Sequence, residues 1–187
     1  MSTLQVNTIS ESTSASGVTI DGVLIKDGLV DGKDVSAITS GLSGAQQFRL
    51  TANITSTGYN DITSNLEVPD TENQGNMGSL VTNSSGIFSF SETGFYAVIV
   101  QAAVHGTQPR VLITATDDNS TYTEVGYAGQ IADNDGAIGF SMVILDVTNT
   151  TNDKVKFQSY MHSNGGTIYG STTSSRTSFT FLKLGDT

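Results

Sequence analysis

Two acidic turns gather side-chain oxygens densely enough to hold a cation. Asp117 and Asp118 stand together in Thr116-Asp117-Asp118-Asn119, and Asp133 and Asp135 flank an asparagine in Asp133-Asn134-Asp135-Gly136. Hard oxygen donors in a short loop suit Ca²⁺. These four carboxylates are therefore the candidate metal ligands, and calcium is the candidate cofactor. Asp70-Thr71-Glu72-Asn73 is a third acidic cluster. None of the three has the glutamate at position twelve that completes a helix-flanked calcium loop, so a solvated turn is the competing reading of each. Other chemistries have less to work with. His105 and His162 lack a partner at i, i+4, and there is no cysteine to complete a ligand set. No Gly-x-Ser-x-Gly elbow occurs, and no glycine loop ending in lysine. Glycoside hydrolysis needs two facing carboxylates, but the acids fall mostly in turns and the glutamates are scattered at 11, 67, 72, 92 and 124. The expectation is a protein that is not an enzyme.

The elements that carry these turns are set by composition. The chain has 187 residues, with 26 Thr and 23 Ser. Small hydroxyl and β-branched side chains at that density argue for strands and turns over helices. Eight Lys+Arg against 18 Asp+Glu leave a net charge of −10, which opposes nucleic acid as a partner because phosphate affinity comes from cations. No apolar run approaches the length of a membrane span, so membrane insertion is not expected. The absence of cysteine excludes disulfides and thiol chemistry. The opening residues have neither a basic stretch nor an apolar core, so no signal peptide is expected.

Residues 1–44 read differently from the rest. Val18-Thr19-Ile20, Val23-Leu24-Ile25-Lys26, Leu29-Val30 and Lys33-Asp34-Val35 are separated by three Asp-Gly pairs. Asp-Gly favours tight turns, so strands of two to four residues are expected. Such strands bury no core alone, and the segment needs copies of itself or a host surface. Val35, Ile38 and Leu42 at i, i+3, i+7 predict a short helical turn. From residue 45 strand follows strand. Phe48, Leu50, Ala52 and Ile54 alternate, Phe95 to Val104 forms the longest apolar run, and Phe140, Met142, Ile144 and Asp146 oppose Ser141, Val143 and Leu145. Residues 154–160 alternate cleanly, and Phe179 and Phe181 share a face near the end. Turn signals every eight to twelve residues predict an all-β sandwich or jelly roll over 45–187.

Gly86-Ile87-Phe88-Ser89-Phe90-Ser91-Glu92-Thr93-Gly94-Phe95-Tyr96-Ala97-Val98 resembles a signature of the complement globular-head family, the tumour necrosis factor-like jelly rolls. Asp153-Lys154-Val155-Lys156-Phe157 is similar to that family's polar entry into its seventh strand, with Asn152 where glycine is usual. Ser174 to Leu182 is similar to its closing strand. The likeness runs from about Ala45 to Leu184. It implies a ten-stranded jelly roll that forms a homotrimer, with Tyr96, Phe157, Tyr160, Phe179 and Phe181 as candidates for the trimer packing, some of which must fill the sandwich core instead. It also implies calcium at one end of the head in some members. The lack of Trp and the Ser/Thr-rich surface favour a viral relative. Leu4 to Glu11 and Val18 to Gly28 resemble the attachment segments of bacteriophage virion fibres. The two resemblances together imply a homotrimeric tail or neck appendage located in the virion. Residues 1–44 would form the attachment or trimeric stalk segment and bind other virion proteins. Residues 45–187 would form the head and meet a host cell-surface receptor or glycan. The exposed loops near Asn73 to Gly78, Asp117 to Ser120, Asp133 to Gly136 and Asn164 to Gly170 are the expected contact regions. A capsid-decorating head fibre and a soluble glycan-binding module are the alternatives.

Overall fold

The computed structural model describes residues 42–129, 136–162 and 165–187, together with four short strands in the N-terminal stretch. The chain divides into two compact units, Met1–Gly41 and Leu42–Thr187.

The first unit contains β1 (Val18–Ile20), β2 (Val23–Lys26), β3 (Leu29–Val30) and β4 (Lys33–Asp34), joined in that order as one antiparallel sheet. Ile20 pairs with Val23, Lys26 with Leu29 and Val30 with Lys33. Each pairing leaves two residues between partners, and in every case the sequence supplies Asp-Gly there, the dipeptide that two-residue hairpins favour. Of the expected helical turn over Val35 to Gly44, residues 35–41 lie outside the described residues; Leu42 is exposed and Gly44 already begins a strand.

The second unit holds β5 (Gly44–Leu50), β6 (Gly58–Asp61), β7 (Leu66–Glu67), β8 (Val81–Ser84), β9 (Ile87–Phe90), β10 (Gly94–His105), β11 (Arg110–Thr116), β12 (Thr123–Gly129), β13 (Ala137–Val147), β14 (Lys154–Met161), β15 (Thr167–Ile168) and β16 (Ser178–Gly185). There is no helix among the described residues. One sheet runs β13-β10-β16-β5-β7 with β15 beside β10, and the other runs β12-β11-β14-β9-β8 with β6 beside β14. Every pairing is antiparallel, and the chain passes repeatedly from one sheet to the other, as in a jelly roll. The first and last strands of this unit, β5 and β16, are neighbours, with Gly44 opposite Lys183. Ser85 and Gly86 both have positive φ, 50° and 82°, between the paired Ser84 and Ile87. That is the twist a two-residue hairpin requires, and a Cβ at Gly86 would strike the Ile62 carbonyl oxygen.

The sandwich core is aromatic. Phe181 has ring neighbours Phe48, Phe88, Phe90 and Phe157 at centroid distances of 6.4, 5.3, 6.2 and 6.1 Å. Phe157 lies 4.2 Å from Phe179, and Tyr96 lies 4.7 Å from Phe90. This corrects an expectation. Tyr96, Phe157, Phe179 and Phe181 are at most 1% exposed within one chain, so they offer another copy no surface. The sandwich itself takes the bulkiest inward side chains, because each buried ring contributes about 1.5–3 kcal/mol wherever it is first shielded from water. Tyr160 is half-buried on the outer face of the second sheet.

One end of the core is sealed by a charged group. Lys183 Nζ lies 2.8 Å from Asp186 Oδ1 and 3.2 Å from Glu92 Oε1, and the Tyr96 hydroxyl donates to the Glu92 carbonyl at 3.0 Å. The hydrogen bond to Asp186 raises the Lys183 pKa against its desolvation, and burial raises that of Tyr96. Both groups keep in the fold a proton that the unfolded chain releases at the ordinary Tyr and Lys values, near pH 10. Their contribution is complete below that pH and is lost as pH rises through their raised folded values. The thermal midpoint is therefore expected to fall above about pH 10, and Lys183→Met to flatten part of that fall in a pH series of melts.

Candidate functional site: an uncovered apolar sheet face

The first sheet has two unlike halves on its outer side. At β5, Arg49 points outward but is 1% exposed, because the chain after β7 folds over it. Its guanidinium donates to Glu67 Oε1 at 2.6 Å, Asp70 Oδ1 at 3.1 Å, Thr71 Oγ1 at 3.2 Å and Gln74 Oε1 at 3.3 Å, and also to the Thr172 carbonyl. Charge-assisted bonds to several acceptors hold this cover in place. Beside it, Gln47 donates to Thr180 Oγ1 at 2.8 Å and accepts from Ser175 Oγ at 3.2 Å. This half is polar and closed.

The half built on β13 and β10 is apolar and open. Along β13, Ile138, Phe140, Met142 and Ile144 are between 53% and 73% exposed. They alternate with Gly139, Ser141, Val143 and Leu145, which face the sandwich side. In register on β10, Ile138 stands opposite Ala103, Phe140 opposite Gln101, Met142 opposite Ile99 and Ile144 opposite Ala97. Ala97 in turn faces Leu182 on β16. The apolar field is thus three strands wide at one end and grades into Thr180 and Ser178 toward β5. β13 is also the terminal strand of its sheet. Glycines let it close against β12: a Cβ at Gly139 would run into the Gly129 backbone, and one at Gly126 would meet Ser141 Oγ and Val143 Cγ1 at 2.9 Å.

A contiguous row of four large exposed apolar side chains is the kind of patch that marks an interaction site. Left open at a sheet edge, it would favour indiscriminate association. Buried, each of the four side chains contributes about 1.5–3 kcal/mol.

The residues proposed as cation ligands are placed differently. Asp118 Oδ1 accepts from Thr116 Oγ1 at 2.8 Å, Ser120 N at 2.8 Å and Thr121 N at 2.7 Å. The Thr121 N–H foremost, then the Thr116 hydroxyl and the Ser120 N–H, holds its carboxyl well below the usual carboxylate range. That oxygen already closes its own turn. Asp117 lines a cleft at the open end of β11 and β13 with Asp146, Asp153 and Lys154. Asp133 and Asp135 lie outside the described residues. Among the described residues, no three His, Asp or Glu side chains come together as a metal-holding group. His105 and His162 are exposed at strand ends.

The β13 row was partly visible in the sequence as alternation, but Val143 and Leu145 make the opposite face apolar too, so periodicity could not say which side faces outward. No family model matches the sequence, and no curated protein does. Solved structures do. Murine APRIL at pH 5.0 matches with a TM-score of 0.57 at 10% identity, over 75% of this chain and 98% of that one. The globular domain of zebrafish complement 1qA matches at 0.52 and 12% identity, over 78% and 99%. Eiger TNF from S. frugiperda matches at 0.51 and 13% identity, over 76% and 93%. The second unit of this chain therefore has the jelly-roll fold of the tumour necrosis factor and complement globular-head domains.

Proposed function

We propose that this chain is the subunit of a homotrimeric virion appendage. Residues 45–187 form the head and associate through the β13–β10 face. Residues 1–44 attach to other virion proteins, and the assembled head adheres to a host cell surface. The observation that carries the assembly is the open row Ile138, Phe140, Met142 and Ile144. A face of this kind on one side only, next to a closed polar half, fits a ring in which each copy covers part of the next. The number three follows from the jelly-roll resemblance. The virion role is supported by the N-terminal strands of two to four residues with Asp-Gly between them, the style of phage fibre attachment segments. Adhesion needs no catalytic step: three weak contacts on one rigid body gain strength through effective concentration.

Light scattering on the full chain is expected to give three times the 19.6 kDa chain mass. A single species at the chain mass would overturn the assembly. Deleting residues 1–41 is expected to leave that multiplicity intact while abolishing incorporation into particles. Incorporation of the head alone would refute the role given to the leading segment.

A further inference from the structure

The outer face of the second sheet carries a different chemistry. Tyr59 on β6 is the register partner of Tyr160 on β14, and their rings stand 4.5 Å apart. Tyr160 is in turn the partner of Arg110 on β11. The Arg110 guanidinium carbon lies 4.5 Å from the Tyr160 ring and 5.5 Å from the ring of Tyr127 on β12. A row of tyrosine, tyrosine, arginine, tyrosine thus crosses four strands. Leu112, two residues along β11 from Arg110 and the register partner of Tyr127, is 2% exposed without belonging to the sandwich core cluster. Beside the row, Asp61 accepts from Gln158 Nε2 at 2.7 Å and pairs with Lys156 Nζ at 3.4 Å, which fixes a polar margin.

Arg110 is the unusual member. It makes no ion pair and no hydrogen bond with any described residue. Its Nε is buried without a partner, and its terminal nitrogens remain open to one. The ring faces hold the cation in position by cation–π attraction without using its N–H groups. A planar fork fixed this way is set for a carboxylate, which it can take through two parallel bonds. Tyr59 is 62% exposed and Tyr127 is exposed as well. Both therefore present apolar ring faces with a polar tip, the surface on which the C–H face of a pyranose ring lies flat. The row lies on the face of the sheet and crosses it from the terminal strand β12 to β6; strand addition by a peptide would use the backbone of those edges and not these side chains.

We propose that this face binds an acidic saccharide. Tyr59 and Tyr127 stack on sugar rings, and the terminal N–H groups of Arg110 hold a ring carboxylate. The site lies on the sheet opposite the assembly face, so either proposal can fail without the other. Only the gain from having three such faces rests on the trimer.

The test is calorimetric titration of the full chain with three probes, namely oligogalacturonate, hyaluronate oligomers and oligosialic acid, and with a carboxyl-reduced, neutral counterpart of each. Saturable binding is expected for at least one acidic probe, and at least tenfold weaker binding for its neutral counterpart. Tyr59→Ala and Arg110→Gln are each expected to weaken binding about tenfold or more, and Arg110→Lys to fail to restore it, since an ammonium lacks the fork. Tyr59 is exposed enough that its loss leaves the fold intact, and an unchanged light-scattering mass and melting midpoint check this. Three results would overturn the proposal: no saturable binding to any acidic probe, equal binding of a neutral counterpart, or wild-type affinity in both Tyr59→Ala and Arg110→Gln.

Discussion

Phe140→Asp is expected to release the assembly into chains of 19.6 kDa without unfolding them. Phe140 sits inside the open row of β13, with Ile138 and Met142 on either side on the same face and Gln101 across from it. In a separate chain the new carboxylate is hydrated, and surface changes of this kind alter stability by only about 0.5 kcal/mol. In an assembly the same group is buried against a neighbour. Loss of the ring's burial removes about 1.5–3 kcal/mol, and desolvating an unpaired carboxylate costs several kcal/mol more. At roughly 1.4 kcal/mol per factor of ten, each interface weakens by about three orders of magnitude or more. Light scattering at micromolar concentration reads the change directly. A variant that keeps the wild-type mass would show that β13 is not where copies meet.

Phe181→Ala tests the other use of an aromatic ring. Phe181 is fully buried and shares edges or faces with four phenylalanines from both sheets. Truncation removes the transfer free energy and leaves a cavity that strands on both sides cannot easily close. The expected loss is about 3–5 kcal/mol, a large share of the 5–15 kcal/mol by which a domain is ordinarily stable. Urea unfolding should be compared in the Phe140→Asp background, so that association does not add concentration-dependent stability. A loss below about 1 kcal/mol would mean the ring cluster is not the centre of the fold. The two phenylalanines are thus expected to separate: one change affects mass and leaves the fold of the single chain intact, and the other weakens that fold itself.

The strands were largely legible in the sequence. The alternation of residues 154–160 matches the burial of Val155, Phe157, Ser159 and Met161 on one side of β14. The run from Phe95 to Val104 is the long strand β10, with Tyr96, Val98, Val100, Ala102 and Val104 inward. What alternation does not encode is which of a strand's two faces meets the opposite sheet. Where one face is polar the answer is free, but on β13 both are apolar. For the same reason the sequence could not divide Tyr96, Phe157, Tyr160, Phe179 and Phe181 between trimer packing and the sandwich core, and the sandwich takes all but Tyr160. The loop tips were expected to carry the contacts. The proposed tyrosine–arginine site draws on positions 59, 110, 127 and 160, which only the pairing of β6, β14, β11 and β12 brings together. Asp118 was a candidate ligand, beside the reading as a solvated turn, because an acid in a turn has the right atoms; the sequence does not show that its Oδ1 also accepts from the Thr116 hydroxyl and the Ser120 and Thr121 N–H groups.

Gly44 pairing with Lys183 has a consequence for how this protein can change. Entry to and exit from the jelly roll share a corner, so the lobe is a cassette whose two ends lie side by side. Recombination or engineering can exchange such a lobe for another of the same outline, or splice a passenger after its last strand, without rerouting the backbone. A new binding surface could then be acquired in one step, while residues 1–41 stay untouched.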